Sequence, residues 1–322
     1  MFASLLTPMV LAFLLGIMAA RLKSDLKFPE SLYTSLTIYL MVAIGMKGGY
    51  KLSLSHFDEV ILPALAALAL CIAIPLWTYL IMRKLGRFDV PNAAALAAHY
   101  GSVSAVTFSA AVVFHDTLNI PVEGFMPSML ALMEVPAILV GISLARINAR
   151  FPAHEGASLK EVARELLAGK SSILLFGFLI IGFACGASGW ELVSPLFDAP
   201  FKGVLTLFLL EAGLVAGRRL GELKRGGAFL IAFGIVMPVV HAVLGIYLGY
   251  WAGLSEGGAT VLGVLASSAS YIAAPAACRV ALPEASPSYY LTGALAITFP
   301  FNIMAGIPLY HYFADLIYHV PV

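Results

Sequence analysis

Two short stretches of small hydroxyl residues, far apart in the chain, are the first places where chemistry could reside. His99-Tyr100-Gly101-Ser102-Val103-Ser104-Ala105-Val106-Thr107 and Ala266-Ser267-Ser268-Ala269-Ser270-Tyr271-Ile272-Ala273-Ala274-Pro275 each interrupt an apolar run. Gly101 lowers the cost of leaving helical geometry, and Pro275 lacks an N–H and crowds the carbonyl four residues earlier, near Tyr271. A helix opened at such a point exposes backbone groups that need partners from protein or a wet cavity. The hydroxyls of Ser102, Ser104, Thr107, Ser267, Ser268 and Ser270 are suited to that task. The opened helix also offers amide N–H groups at a new N-terminus, where partial positive charge favours an anion, while carbonyls at the preceding end suit a cation. Two such breaks meeting near mid-membrane make a small polar site. The alternative is that these residues serve only close helix packing.

Two acids lie inside apolar segments: Glu134, beside Pro136, and Glu211. An acid placed in a membrane helix is costly and faces protein or water, so either could bind a coupling cation or take up a proton. The plainer readings of both are a neutral protonated glutamate, or one held by a neighbouring hydroxyl without functional coupling. Asn302, two residues beyond Pro300, could present an amide to the same cavity, with Thr298 a weaker candidate. His99 and His241 read equally well as packing imidazoles or proton relays. No metal-ligand cluster, Gly-rich phosphate cradle or nucleophile–base–acid set is assembled by the sequence, which argues against an enzyme. Cys71, Cys185 and Cys278 are widely spaced in apolar stretches and read as small buried hydrophobes.

The elements that must position these groups follow from composition. Of 322 residues, 61% are hydrophobic and only 11% are charged. A soluble domain carries about 25% charged residues, so the polar exterior such a core would need is missing; lipid removes the need. A formal charge of +1 leaves no footprint for nucleic acid. The apolar segments 4–20, 31–46, 59–82, 92–114, 124–146, 171–189, 202–217, 227–250, 258–281 and 288–312 read as ten transmembrane helices. The first lacks a basic leader and is followed by Arg21 and Lys23, so it reads as a span and not a signal peptide. Sixteen basic residues fall after odd-numbered spans and three after even-numbered ones. The positive-inside rule then places both termini outside a bacterial inner membrane. Asn148–Lys170 becomes a cytoplasmic connection in which Ser158 and Glu161 predict a short capped surface helix.

The chain also repeats. Leu36–Gly49 matches Leu205–Gly217, aligning Gly45 with Gly213 and Gly49 with Gly217. Ser102-Val103-Ser104 matches Ser268-Ala269-Ser270, and Pro136 matches Pro300, all at an offset of about 165 residues. The expectation is therefore an all-α membrane protein in two inverted five-helix repeats, residues 1–147 and 171–322 joined by 148–170, with helices four and nine broken. That arrangement is associated with secondary transport by alternating access.

At these residues the chain resembles the sodium-dependent bicarbonate transporter family of cyanobacterial carbon uptake, over essentially all ten segments. The likeness is carried by Gly-Met-Lys-Gly-Gly at 45–49, Gly-Ser-Val-Ser at 101–104, Glu-Val-Pro-Ala at 134–137, Gly-Glu-Leu at 221–223, Pro-Val-Val-His at 238–241 and Ala-Ser-Ser-Ala-Ser at 266–270. It implies bicarbonate or another small anion near two crossed, broken helices, sodium as coupling ion, a homotrimer and elevator-like movement. It implies no other cofactor, and relatives can bind a PII-like cytoplasmic regulator. The candidate substrate set is Gly101, Ser102, Ser104, Thr107, Ser268 and Tyr271; the candidate ion set is Ser104, Glu134, Glu211, Ser267, Ser270 and Asn302. Three departures stand out. Ser270-Tyr271 replaces a family Ser-Asp, Ala274-Pro275-Ala276 replaces Gly-Pro-Pro, and Val215 replaces an acid, with Glu211 one turn earlier. A differently coupled small-anion transporter and a non-transporting membrane sensor or scaffold are the alternatives.

Overall fold

The computed structural model describes residues 7–148 and 158–319, with the side chains of 222–226 left aside. Thirteen helical elements cover nearly all of them. Helix α1 spans Pro8–Arg21, α2 Glu30–Ser53, α3 Phe57–Lys84, α4 Val90–Gly101, α5 Ala105–Thr117 and α6 Met126–Asn148. Helix α7 spans Leu159–Ala168, α8 Lys170–Phe197, α9 Phe201–Arg219, α10 Leu223–Trp251, α11 Glu256–Ser267 and α12 Ala273–Ala281. The last, α13, runs Pro287–His319 and widens into π-helical turns at Thr292–Thr298 and Asn302–Gly306. Three expected regions fall partly outside the described residues: the start of the first segment, 149–157 of the connection, and the side chains of Glu222, Leu223, Lys224 and Arg225.

Local chemistry explains the ends. Thr7 caps α1 through Val10 N–H, and Asp89 caps α4 through Asn92 N–H. Helix α7 forms with the capping box that its Ser-x-x-Glu spacing predicts: Glu161 N–H donates to Ser158 Oγ at 3.1 Å, and Ser158 N–H to Glu161 Oε2 at 2.6 Å. Those bonds also hold the exposed Glu161 carboxyl below its usual range. Helix α8 outlasts its expected end because the chain kinks at Gly186, with φ of +58°, and then resumes helical geometry.

The ten-span, inverted five-helix description is corrected by this structure. Among the described residues, six helical segments are long and apolar enough to cross a membrane: 57–84, 90–117, 126–148, 170–197, 227–251 and 287–319. Helix α1 has 14 residues, about 21 Å at 1.5 Å each, short of a hydrocarbon core of about 30 Å. Helix α11 is shorter still, at 12 residues. Helix α2 carries Glu30, Lys47 and Lys51, and α9 carries Lys202, Glu211, Arg218 and Arg219. Apolar runs in these segments reflect burial in protein as much as contact with lipid. Leu36, Leu40, Met41 and Ile44 of α2 and Leu205, Phe208 and Leu209 of α9 all lie in the core.

The repeated glycines have a packing role. Helix α1 lies along α9, and α2 along α8. A β-carbon at Gly16 would collide with the Leu210 carbonyl, and one at Gly213 with the Phe13 carbonyl. On the other seam, Gly49 approaches the Leu179 carbonyl and Gly182 that of Met46. Small residues bring backbones together where lipid gives no hydrophobic drive for helices to associate. Beside these seams lie two apolar clusters, one around Phe13, Ile74, Met126 and Phe208, the other around Leu96, Ile138, Leu230 and Cys278. Tyr271 packs against both. Cys71 and Cys278 are buried as expected, but Cys185 is exposed, on the turn before the Gly186 kink.

Candidate functional site

The two serine stretches form breaks, and the breaks touch. Helix α4 ends at Gly101; Ser102 and Ser104 take extended backbone angles, and α5 begins at Ala105. Helix α11 ends at Ser267, Ser268 is extended, and α12 begins at Ala273. Two bonds join the breaks: Ser104 N–H donates to Ser268 Oγ at 3.0 Å, and Ser270 N–H donates to the His99 carbonyl at 2.9 Å. Each break therefore satisfies backbone groups that the other exposes.

Gly101 owes its identity to space more than to flexibility. A β-carbon there would collide with Pro75 of α3 and crowd Ala137 of α6. Pro275 lies in the first turn of α12, where a missing N–H costs little. The break therefore lies before the proline, and Ser270 Oγ accepts Ala274 N–H at 3.2 Å.

The hydroxyls differ in what they leave unengaged. Ser102 donates to the Glu134 carbonyl at 3.0 Å, Ser267 to the Val264 carbonyl at 2.9 Å, and Ser268 to the Leu265 carbonyl at 2.8 Å. Ser104 Oγ instead accepts from Thr107 N–H and from Thr107 Oγ1, at 3.2 and 2.9 Å, so its own proton is free. The buried Tyr271 hydroxyl makes no hydrogen bond of full geometry among the described residues, but it lies close enough to Ser104 for a weak side-chain hydrogen bond. Its ring is fixed against Phe299 at 5.2 Å. Ser104 and Tyr271 are thus neighbouring hydroxyls in weak contact with each other, and neither donates to a carbonyl among the described residues.

The structure separates the candidate cation residues. Glu134 is buried at the break through its backbone, and its carboxylate has no hydrogen bond or ion pair among the described residues. Asn302 is committed elsewhere, donating to the Ser267 carbonyl at 3.2 Å and accepting from Tyr310 at 2.7 Å. It braces the end of α11. Glu211 is buried with Oε2 unpartnered, and it interacts electrostatically with Tyr33 and Arg218. Tyr33 in turn lies near enough to Tyr271 to influence it, linking Glu211 to the break indirectly.

His99 and His241 are each held by packing through one ring nitrogen, the other being unpartnered among the described residues. His241 accepts from the Trp77 indole at 2.8 Å, and His99 bonds the Ala95 carbonyl and stacks on Tyr290 at 4.4 Å. Thr298 joins Tyr100 to the Gly234 carbonyl, at 2.9 and 2.8 Å, where α13 widens. Such π-helical widenings are frequent at functional sites.

A cavity of about 250 Å³ opens beside the second break, lined by Tyr33, Thr34 and Thr37 of α2, Lys170 and Ser172 of α8, and Ile272 and Ala273. The positive end of α12 faces it. Sequence reasoning missed Tyr33, Thr37 and Lys170. For Tyr33 and Thr37 the available signal was polarity within the helix that carries Leu36–Gly49, which spacing alone assigns to packing.

No curated protein matches the chain in sequence. The characteristic sequence pattern of the Na+-dependent bicarbonate transporter superfamily matches residues 8–315. A match over nearly the whole chain, on a multi-pass helical fold with two crossed breaks, makes this a membrane transport protein and no enzyme: the chain belongs to the Na+-dependent bicarbonate transporter superfamily.

Proposed function

We propose that the protein couples inward movement of sodium to uptake of bicarbonate across a bacterial inner membrane. The observation that supports this reading is the pair of neighbouring hydroxyls, Ser104 and Tyr271, at the crossing of the breaks, neither of which donates to a carbonyl among the described residues. Bicarbonate is a small planar anion whose oxygens accept such bonds, and a helix N-terminus nearby adds favourable charge. Glu134, whose carboxylate has no ion pair among the described residues, is the matching negative group for a cation. The bonds between the breaks make them move together, which supports an elevator-like step in which they shift against the α1–α9 and α2–α8 seams. The resemblance further supports a homotrimer, checked by native mass in detergent, and a PII-like regulator, checked by co-purification.

Purified protein in liposomes should accumulate labelled bicarbonate when given an inward sodium gradient. Uptake no greater than in empty vesicles, with the protein correctly inserted, overturns the reading. A second reading, another small anion moved with protons, is favoured by Glu211, whose buried Oε2 lacks a partner. Accumulation driven by a pH gradient without sodium selects it.

A further inference from the structure

The cavity beside the second break carries chemistry that the crossing does not use. Part of its wall is the start of α8, where Lys170, Ser171 and Ser172 follow Gly169. That first turn has no side-chain cap and no acid in it, so its N–H groups and the positive end of a 28-residue helix are left for another partner. Ser172 is only 2% exposed and lines the cavity, and its hydroxyl makes no hydrogen bond among the described residues. Thr34 of α2 also lines the cavity with its hydroxyl unengaged among them. At the rim, Lys170 is exposed and has no ion pair among the described residues; Glu165, also exposed, shares that rim without pairing with it. The rest of the wall is apolar, from Leu166 of α7 to Ile272, Ala273 and Ala276 at the start of α12. At about 250 Å³ the space is far larger than one water needs, about 30 Å³ of liquid volume. Water would satisfy Ser172. It does not account for two helix N-termini, α8 and α12, meeting at one cavity with no acid in either first turn.

We infer that this cavity is a second anion site, which takes an oxyanion of the carboxylate type. The Ser172 hydroxyl and the first-turn N–H groups of α8 donate to its oxygens, and Lys170 supplies positive charge at the mouth. The apolar wall accommodates a short hydrocarbon stem. Two sources fit this chemistry: the transported anion after it leaves the crossing, and a small organic acid entering from the same side. The site is separate from the crossing, since Ser102, Ser104 and Ser268 do not line it. Tyr33 does line it, and lies near enough to Tyr271 to influence it. An occupant touches α2 and α8 on one side and α12 on the other. On the elevator-like reading proposed above, those parts shift past each other, so occupancy holds them together and slows transport; the site itself does not depend on that reading. In sequence, Lys170 closes a polar connection and Ser171-Ser172 opens an apolar segment, and only folding brings them to Thr34 and Ile272.

The test is isothermal titration of the full protein in detergent with bicarbonate and with butyrate, comparing the parent with Lys170→Gln, Ser172→Ala and Ser104→Ala. Butyrate binding that Ser172→Ala and Lys170→Gln each weaken at least about 5-fold, and that Ser104→Ala leaves unchanged, supports the site with an organic acid as occupant. Bicarbonate binding at two sites, one lost in Ser172→Ala and the other in Ser104→Ala, supports it with the transported anion as occupant. Lys170 is exposed, so its variant keeps the test open if Ser172→Ala fails to fold. Folded variants at Lys170 and Ser172 that bind both anions as the parent does, or a parent that binds neither outside the crossing, overturn the inference. The crossing stands or falls separately, on the response to Ser104→Ala.

Discussion

The glycine seams and the crossed breaks are both built from small residues, yet they solve opposite problems. Along α1–α9 and α2–α8, glycine removes side-chain volume so that intact helices touch through their backbones. At 102–104 and 268–272 the helices are opened, and backbone groups bond across the gap. Among the described residues the seam helices leave one fully buried polar atom without a partner, Glu211 Oε2 of α9. The crossing gathers two neighbouring hydroxyls, Ser104 and Tyr271, with Glu134 joined to the break through its backbone. A seam is therefore suited to stay rigid, and the crossing to bind something.

The largest effect should come from breaking a seam. Gly49→Val puts branched volume against the Leu179 carbonyl, which is backbone and cannot yield. Overpacking costs about 1–3 kcal/mol and occasionally more. Thermal melting in detergent should show a large loss of stability or no folded protein. A variant that melts like the parent would remove the distinction drawn here between seam and crossing.

Next comes Ser268→Ala, which deprives Ser104 N–H of its acceptor within the protein core. An orphaned buried group costs about 1–3 kcal/mol, so the protein should fold with a lower melting temperature and transport poorly. Retention of both properties would show that the bond between the breaks contributes little. Ser270→Ala should destabilise less, by about 0.5–2 kcal/mol, since it removes a side-chain cap of α12 while the Ser270 N–H bond to His99 persists.

The smallest change in stability should follow Tyr271→Phe. Its hydroxyl has only a weak contact with Ser104 to lose, so folding should change little. Anion affinity should nonetheless fall. An unchanged half-saturating bicarbonate concentration would reduce Tyr271 to a packing residue against Phe299.

Much of the crossing was legible because the residues that make it are contiguous. Gly101 to Ser104 and Ser267 to Ser270 announce a break through composition alone. The number of spans was not legible. A run such as Leu36–Gly49 is apolar because it packs on other helices, and a hydropathy pattern cannot tell protein from lipid as the apolar neighbour. Partners were also hidden. Nothing in the spacing joins Tyr33 to Glu211 or Asn302 to Tyr310. The glycine repeat was visible, but it recorded two close helix contacts; among the described residues six helical segments, not ten, are long and apolar enough to span a membrane.

The crossing is the proposed place where substrate and ion bind. The decisive measurement is the half-saturating concentration of bicarbonate, and of sodium, for uptake into proteoliposomes containing parent protein, Ser104→Ala or Ser270→Ala. Loss of about 1–3 kcal/mol of binding corresponds to a rise of roughly 5- to 150-fold, with Ser104→Ala shifting the bicarbonate dependence and Ser270→Ala the sodium dependence. Folded, inserted variants whose dependence on both solutes matches the parent would contradict it.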